Sequence, residues 1–274
     1  MKRSELMAKS LRDLPPFPGV AWEVMRMVKS PDTGASDLER VVSRDPALAA
    51  RVLKISNSAL YGVRGTITTL TQAIVILGMK TLQSLVVAAS SESLYKTGSL
   101  KDRLMWNHAL GVALVSRKLA RRVGHSEPEE AFVAGLLHDI GKTVLDHNYG
   151  HRYENVVQAV YNDGMTFLEA ENHFLEFNHA EVGGYVLNRW NFAPVLQEAV
   201  RLHHQPEYAQ IDAQLCAAVS LANALCVRLG VGPERNPDLD LSETEAASML
   251  ELGAEELREI EERALRGLKE EELI

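Results

Sequence analysis

The sequence has little cysteine: only Cys216 and Cys226 occur among its 274 residues. Both lie in apolar stretches, so they provide neither a disulfide framework nor zinc-finger spacing, and we expect them in the core of a protein from a reducing compartment. The chain also lacks an uninterrupted apolar run long enough to cross a bilayer, and a basic, apolar leader at its start. These absences predict a cytoplasmic protein with no membrane insertion.

Excess positive charge is lacking as well, since the formal net charge is −8. A net negative charge argues against nonspecific electrostatic binding to nucleic acid, and no nucleic-acid partner is expected. Arg117, Lys118, Arg121 and Arg122 form one local basic cluster, which we interpret as a solvated helix face.

Signals for β-strands are missing too, because no segment alternates convincingly between apolar and polar residues. Helix signals are frequent. Ser36 with Glu39 predicts a capping box, and Asp45 before Pro46 predicts a cap followed by proline at the first helical position. The apolar run 73–89 contains Gly78, which predicts a helix break. The fold class predicted from these patterns is all-α.

The composition changes along the chain and predicts three parts: helical residues 1–98, a second helical subdomain at 99–232, and an acidic tail at 233–274. The tail follows a link with proline and aspartate, and Ser242 with Glu245 predicts its capping box. One face of the tail is apolar and could pack on the body, on a second copy or on another protein. The residues of that face are Leu257, Ile260, Ala264, Leu265 and Leu268.

Six residues in a fixed order carry the chemistry of the sequence. They are His108, His138, Asp139, His179, His203 and His204. Imidazole with carboxylate and no thiolate suits one or two divalent ions, with Fe, Mn, Ni and Zn all compatible, and the two oxygens of Asp139 could bridge a pair. Because adjacent helical residues project about a quarter-turn apart, His203 and His204 are expected to face different ions.

This ordered set resembles the metal-binding motif of HD-domain phosphohydrolases. The N-terminal half contains three further motifs: Leu14-Pro15-Pro16-Phe17-Pro18, Arg44-Asp45-Pro46-Ala47-Leu48, and Val52-Leu53-Lys54-Ile55-Ser56-Asn57-Ser58 followed by Tyr61-Gly62. These motifs resemble the hallmarks of HDOD domains, which are HD-related modules of bacterial signalling proteins. The resemblance implies a multi-helical HD-superfamily core with an N-terminal helical subdomain.

The resemblance also implies that Asn223 stands where an HD hydrolase carries its last ligand aspartate, so the metal site is partly degenerate. After His204 the sequence reads Gln205-Pro206-Glu207-Tyr208, without the glycine, tyrosine and proline signature of cyclic-dinucleotide phosphodiesterases. The favoured function is a regulatory or scaffold module with a signalling protein as partner and a nucleotide or phosphate as a further ligand.

Two other interpretations stay open. One is a metal-dependent phosphohydrolase acting on a nucleotide or another phosphoester, in which Asp139 and Lys142 are catalytic and Lys142 holds a phosphate oxygen. The other is a purely structural helical protein whose histidines are satisfied core or surface groups.

Overall fold

The computed structural model describes residues 7, 10–11, 13–28, 30, 32–58, 61, 63, 65–95 and 98–273. These residues form α-helices joined by short loops and 3₁₀ turns, with no strand among them, which confirms the all-α prediction. The helices are α1 (Gly19–Met27), α2 (Ala35–Val42), α3 (Pro46–Ser56), α4 (Leu70–Leu77), α5 (Met79–Ser91), α6 (Leu100–Arg122), α7 (Pro128–Leu137), α8 (Ile140–Tyr149), α9 (His151–Asp163), α10 (Phe167–Phe174), α11 (His179–Arg189), α12 (Pro194–Leu202), α13 (Ala213–Leu229), α14 (Glu245–Met249) and α15 (Ala254–Glu270).

Two of the helix signals are confirmed at the residues that carry them. The Asp45 carboxylate accepts a hydrogen bond from the backbone N–H of Leu48 at 3.0 Å, ahead of Pro46 in the first turn of α3. Gly78 separates α4 from α5 with a φ of 89°, a value that favours glycine. Among the described residues, no helix combines the length and the apolar character needed to span a membrane.

Two predicted caps are wrong. Helix α2 begins one residue before Ser36, and the carboxylate of Asp37 instead accepts from the N–H of Gly34 at 3.1 Å. The cap of the tail also shifts, because Ser242 lies in a 3₁₀ turn and the Thr244 hydroxyl caps α14. Neighbouring polar residues compete for the same free N–H groups, and the packed position of each helix selects one of them.

The N-terminal segment docks on the second half of the chain through aromatic side chains. The ring of Phe17 lies 5.1 Å from both Trp190 and Phe192, and Trp22 lies 5.8 Å from Phe192. The indole N–H of Trp190 donates to the carbonyl oxygen of Pro15 at 3.0 Å. The proline-rich motif therefore joins the two halves, and the aromatic residues after α11 are buried in the core.

A buried arginine forms a second contact between the halves, contrary to the prediction of a solvated basic face. Arg117 on α6 is 2% exposed, with its guanidinium 3.7 Å from the ring centre of Tyr61 and 3.7 Å from the Glu129 carboxylate. Glu129 also accepts from the Thr81 hydroxyl of α5 at 3.1 Å. Tyr61 thus has a packing role in the HDOD-like half, while Gly62 of the same motif lies outside the described residues.

The acidic tail packs on the body. Leu257, Ala264 and Leu268 of α15 are buried, and Arg122 pairs with Glu256 at 2.7 Å. The two cysteines are fully buried, as predicted. The three domain boundaries proposed from composition remain a prediction, because the buried apolar residues form one continuous cluster through all three parts.

Candidate metal centre

Four separate parts of the chain bring the six residues of the motif together. His108 lies in α6, His138 and Asp139 occupy the junction between α7 and α8, His179 begins α11, and the histidine pair follows α12. The approach of α8 to α11 requires a glycine, because a Cβ at Gly141 would lie 2.0 Å from the carbonyl oxygen of His179. The glycine after the His-Asp pair therefore allows the helices that carry the candidate ligands to meet.

The imidazole rings of three histidines are oriented by backbone carbonyls. The Nδ1 atoms of His108, His138 and His203 lie 2.7 Å from the oxygens of Val231, Gly135 and Val200, respectively. A carbonyl oxygen only accepts, so each Nδ1 carries the hydrogen and each Nε2 keeps its lone pair when the ring is neutral. Burial lowers the pKa of His108 to about 4 and holds the pKa of His203 well below its usual range. The rings of His108 and His203 are therefore neutral near pH 7.

The fourth ring is oriented by a carboxylate that the sequence did not single out. Glu171 on α10 is fully buried, and its Oε2 accepts from the Nδ1 and the backbone N–H of His179 at 2.7 and 2.6 Å. Its other oxygen accepts from the Tyr153 hydroxyl at 3.1 Å. A carboxylate that fixes the outer nitrogen of a histidine is a common support of metal sites. Nothing in the ordered motif marks Glu171, which only the folded structure brings against His179.

Asp139 lies between two groups of histidines. Its Oδ1 is 3.3 Å from Nε2 of His179 and 3.9 Å from Nε2 of His203, and its Oδ2 is 3.4 Å from Nε2 of His138 and 3.6 Å from Nε2 of His108. Burial opposes ionisation of this carboxyl, but the ammonium of Lys142, 2.8 Å from Oδ2, favours the charged form, and the pKa lies well below its usual range. The centre thus contains a carboxylate facing several nitrogen lone pairs.

Three of these buried atoms have no hydrogen-bond partner within the described part of the chain: Oδ1 of Asp139, and Nε2 of His138 and of His203. Buried acceptors without a donor are costly, and acceptors that face one another at 3 to 4 Å repel. Two groups of residues could each hold a metal ion, with one ligand atom per residue. They are His108, His138 and Asp139, and His179, His203 and His204.

His203 and His204 differ from the expectation that they face different ions. Their ring centres are 4.1 Å apart, and both belong to the same candidate group. Helix α12 ends at Leu202, so the quarter-turn separation of helical neighbours does not apply to the pair. Nε2 of His204 lies 2.8 Å from Nε2 of His179, and His204 is the member of the centre that is exposed.

Asn223 reaches the centre, where its Oδ1 lies 3.0 Å from Nε2 of His108. Both atoms accept when the ring carries its hydrogen on Nδ1, so a hydrogen bond between them requires the amide oxygen and nitrogen to exchange places. With the amide turned so that its NH₂ faces the ring, Asn223 donates to the His108 lone pair. An aspartate at this position could not donate a hydrogen bond, so its carboxylate and Nε2 of His108 would both need a cation. The amide therefore satisfies His108 without metal.

Lys142 is nearly inaccessible and pairs with Oδ2 of Asp139 at 2.8 Å. Burial lowers the pKa of this lysine, but Asp139 and Glu234 outweigh burial and raise it above its usual value. The ammonium also lies 4.5 Å from the ring centre of Phe167 and 3.9 Å from the carboxylate of Glu234. The lysine therefore stays charged beside the centre, screened from solvent.

Among the remaining histidines, His147, His151 and His173 are exposed. His125 is not solvated, because its ring is 7% exposed and its Nε2 lies 2.8 Å from the Asp212 carboxylate. Asp212 caps α13, so the contact links this helix to the turn after α6. The acid next to His147, Asp146, pairs with Lys101.

The fold and the centre define an all-α protein with a buried histidine and aspartate cluster. The sequence profile of the HDOD domain matches residues 14–206, and the chain belongs to the HDOD domain family. The resemblance drawn from the N-terminal motifs is confirmed.

Solved structures agree with this assignment. An HDOD domain protein of unknown function from Geobacter sulfurreducens is 26% identical, with a TM-score of 0.86 and coverage of 99% of this chain and 97% of the other. A candidate phosphohydrolase from Shewanella amazonensis is 24% identical, with a TM-score of 0.78 and coverage of 99% and 98%, which shows the shared fold.

A curated relative of uncharacterised function from Treponema pallidum is 24% identical over 224 residues. The match covers 81% of this chain but only 44% of the relative, so the chain spans under half of that protein.

Proposed function

We propose that this protein is a regulatory HDOD module that holds one divalent metal ion in the buried cluster, and that the ion fixes the shape that a signalling partner recognises. The observation that carries the proposal is the unpartnered Oδ1 of Asp139, which faces Nε2 of His179 and of His203. A cation between these atoms turns their mutual repulsion into attraction.

The spacing of the donor atoms fits such an ion. Metal–ligand bonds of about 2.1 Å place neighbouring ligand atoms about 3.0–3.4 Å apart around one ion. The separation of 3.3 Å from Oδ1 of Asp139 to Nε2 of His179 lies within this range, whereas Nε2 of His203, at 3.9 Å, would have to move closer. We therefore propose Asp139, His179, His203 and His204 as the ligands of the occupied position. Three imidazoles and one carboxylate are compatible with Zn, Mn, Fe or Ni.

The second position, formed by His108, His138 and Asp139, is the weaker one in this proposal. The Lys142 ammonium already neutralises Oδ2 of Asp139, and Asn223 satisfies His108. A second divalent ion would lie close to the buried ammonium with one carboxylate fewer than an HD hydrolase supplies. This charge balance supports a single ion and a regulatory role.

A second candidate function is supported by one observation, the unpartnered Nε2 of His138. If this ring and His108 held a second ion, Asp139 would be a ligand of both positions, as expected for a metal-dependent phosphohydrolase. Bound metals would supply charge stabilisation for a phosphoester substrate. The residues of the chain would orient it, with Lys142 holding a phosphate oxygen.

Metal stoichiometry and hydrolysis distinguish the two functions. The protein purified without chelator is analysed for Fe, Mn, Ni and Zn alongside His203→Ala, His138→Ala and the exposed control His147→Ala. The regulatory proposal expects about one ion per chain, lost in His203→Ala and kept in the other two, with no hydrolysis of phosphomonoesters or phosphodiesters.

Two ions per chain, loss of one in His138→Ala, and metal-dependent hydrolysis abolished by Asp139→Asn would establish the phosphohydrolase. A folded wild type that contains no metal and takes up none would refute both proposals and leave a structural cluster.

A further inference from the structure

The segment that follows α13 runs across the metal centre and places a carboxylate beside Lys142. Val231 accepts from His108, and Gly232 lies so close to the same ring that a Cβ would be 2.6 Å from the Cβ of His108, at a φ of 112°. Two residues later, the side chain of Glu234 is 20% exposed, and one of its oxygens is 3.9 Å from the Lys142 ammonium. The segment 231–234 therefore covers the centre and ends in an anion.

The groups that receive this carboxylate form a small oxyanion site. One oxygen of Glu234 accepts from the backbone N–H of Phe167 at 2.8 Å, and the other faces Lys142. Phe167 is the first residue of α10, where backbone N–H groups are free and the helix dipole favours negative charge. Lys142 itself is 4% exposed in its side chain. A fixed N–H and a buried ammonium together would accept the oxygens of a phosphate group as readily as those of a carboxylate.

The contact between Glu234 and Lys142 is loose. Asp139 pairs with the ammonium at 2.8 Å, whereas Glu234 remains 3.9 Å away, beyond hydrogen-bonding distance. Lysine has three N–H donors, so the ammonium can take a closer oxygen without giving up Asp139. An incoming phosphate would bring more charge than the single carboxylate it displaces.

We propose that Lys142 and the Phe167 N–H form a binding site for a phosphate group, and that Glu234 occupies this site in place of the ligand. The proposal rests on the proposed function in that the phosphate would lie beside Asp139 and the metal position. It adds a ligand class and an internal competitor. Release of Glu234 is then the step by which a phosphate-bearing ligand would open the covering segment.

The test compares ligand binding by calorimetry in wild type, Glu234→Ala and the exposed control Glu207→Ala, which loses the same charge elsewhere. The probes are inorganic phosphate, adenosine monophosphate and adenosine. Removing the competing charge about 4 Å from the lysine should tighten phosphate binding at least about tenfold. The control should bind phosphate with the affinity of wild type. Glu234→Gln should have an affinity between those of wild type and Glu234→Ala, because its amide oxygen still accepts from Phe167.

A gain for both phosphate probes and none for adenosine supports the proposal. The larger gain identifies a free phosphate or a phosphomonoester as the better ligand. A gain shared by adenosine, or equal affinity in Glu234→Ala and wild type, overturns it. The double variant Glu234→Ala/Lys142→Gln should lose the gain, and its folding is checked by circular dichroism.

Metal content is measured on the same samples, which separates this inference from the proposed function. Wild type without metal would refute the metal proposal. The phosphate comparison would still decide the present inference, since Lys142, Phe167 and Glu234 are all groups of the chain.

Discussion

Asn223→Asp is the most informative single substitution, because it replaces a donor to His108 with a carboxylate that can only accept. In the metal-free protein the new carboxylate faces the Nε2 lone pair, 3.0 Å from the position of the present amide. A buried acceptor without a donor costs about 1–3 kcal/mol. One kcal/mol corresponds to about 2–4 °C in a domain of this size. We expect the chelator-treated variant to melt several degrees below wild type.

With metal bound, Asn223→Asp should stabilise the protein instead of destabilising it. The added carboxylate supplies the charge that the second position lacks, so metal should bind at least about tenfold more tightly, which adds about 1.4 kcal/mol of stability at saturating metal. Calorimetric melting with chelator and with excess Mn or Zn therefore shows a wider gap between the two conditions in the variant than in wild type.

The matched control is Asn155→Asp, which makes the same change on the exposed face of α9. The control should show no widening of the gap. A variant as stable as wild type in chelator, with unchanged metal affinity, would refute the account of Asn223 as the residue that satisfies His108.

Three further substitutions test other contacts. Glu171→Gln removes the negative charge that faces His179 and leaves the Tyr153 hydroxyl without its acceptor, so it should weaken metal binding about 10–100-fold in chelator competition; unchanged affinity would rule out the orienting role. Glu129→Gln leaves buried Arg117 without its carboxylate and should cost roughly 3–5 kcal/mol in urea unfolding, part of which Arg117→Met should restore; a loss that the second substitution deepens would contradict this. Gly232→Ala should lower the melting temperature and the metal content together, and a change in neither would show that the covering segment tolerates a methyl group.

Much of the local structure could be predicted because its cause is local. A carboxylate before proline at Asp45 and a glycine at Gly78 act within a few residues of chain, and both predictions are confirmed. The capping boxes at Ser36 and Ser242 failed for a related reason. Several polar residues stand near each helix start, and the final position of the helix determines which of them reaches the free N–H groups.

Burial of charge could not be predicted in the same way. Arg117 shares its sequence neighbourhood with exposed cations, and His125 lies in a polar turn, yet both are buried against partners from distant segments. A charged or polar side chain enters the interior only where a partner is present, and that partner is supplied by another helix.

The sequence by itself determined the helical class, the family and the order of the six histidine and aspartate residues, because periodicity and motif order are properties of the chain. Tertiary structure alone decided that Glu171 orients His179, that Asn223 lies against His108 and that Glu234 lies beside Lys142. These contacts join residues that are 8, 115 and 92 positions apart. Their distances follow from how the helices pack, which no local pattern records.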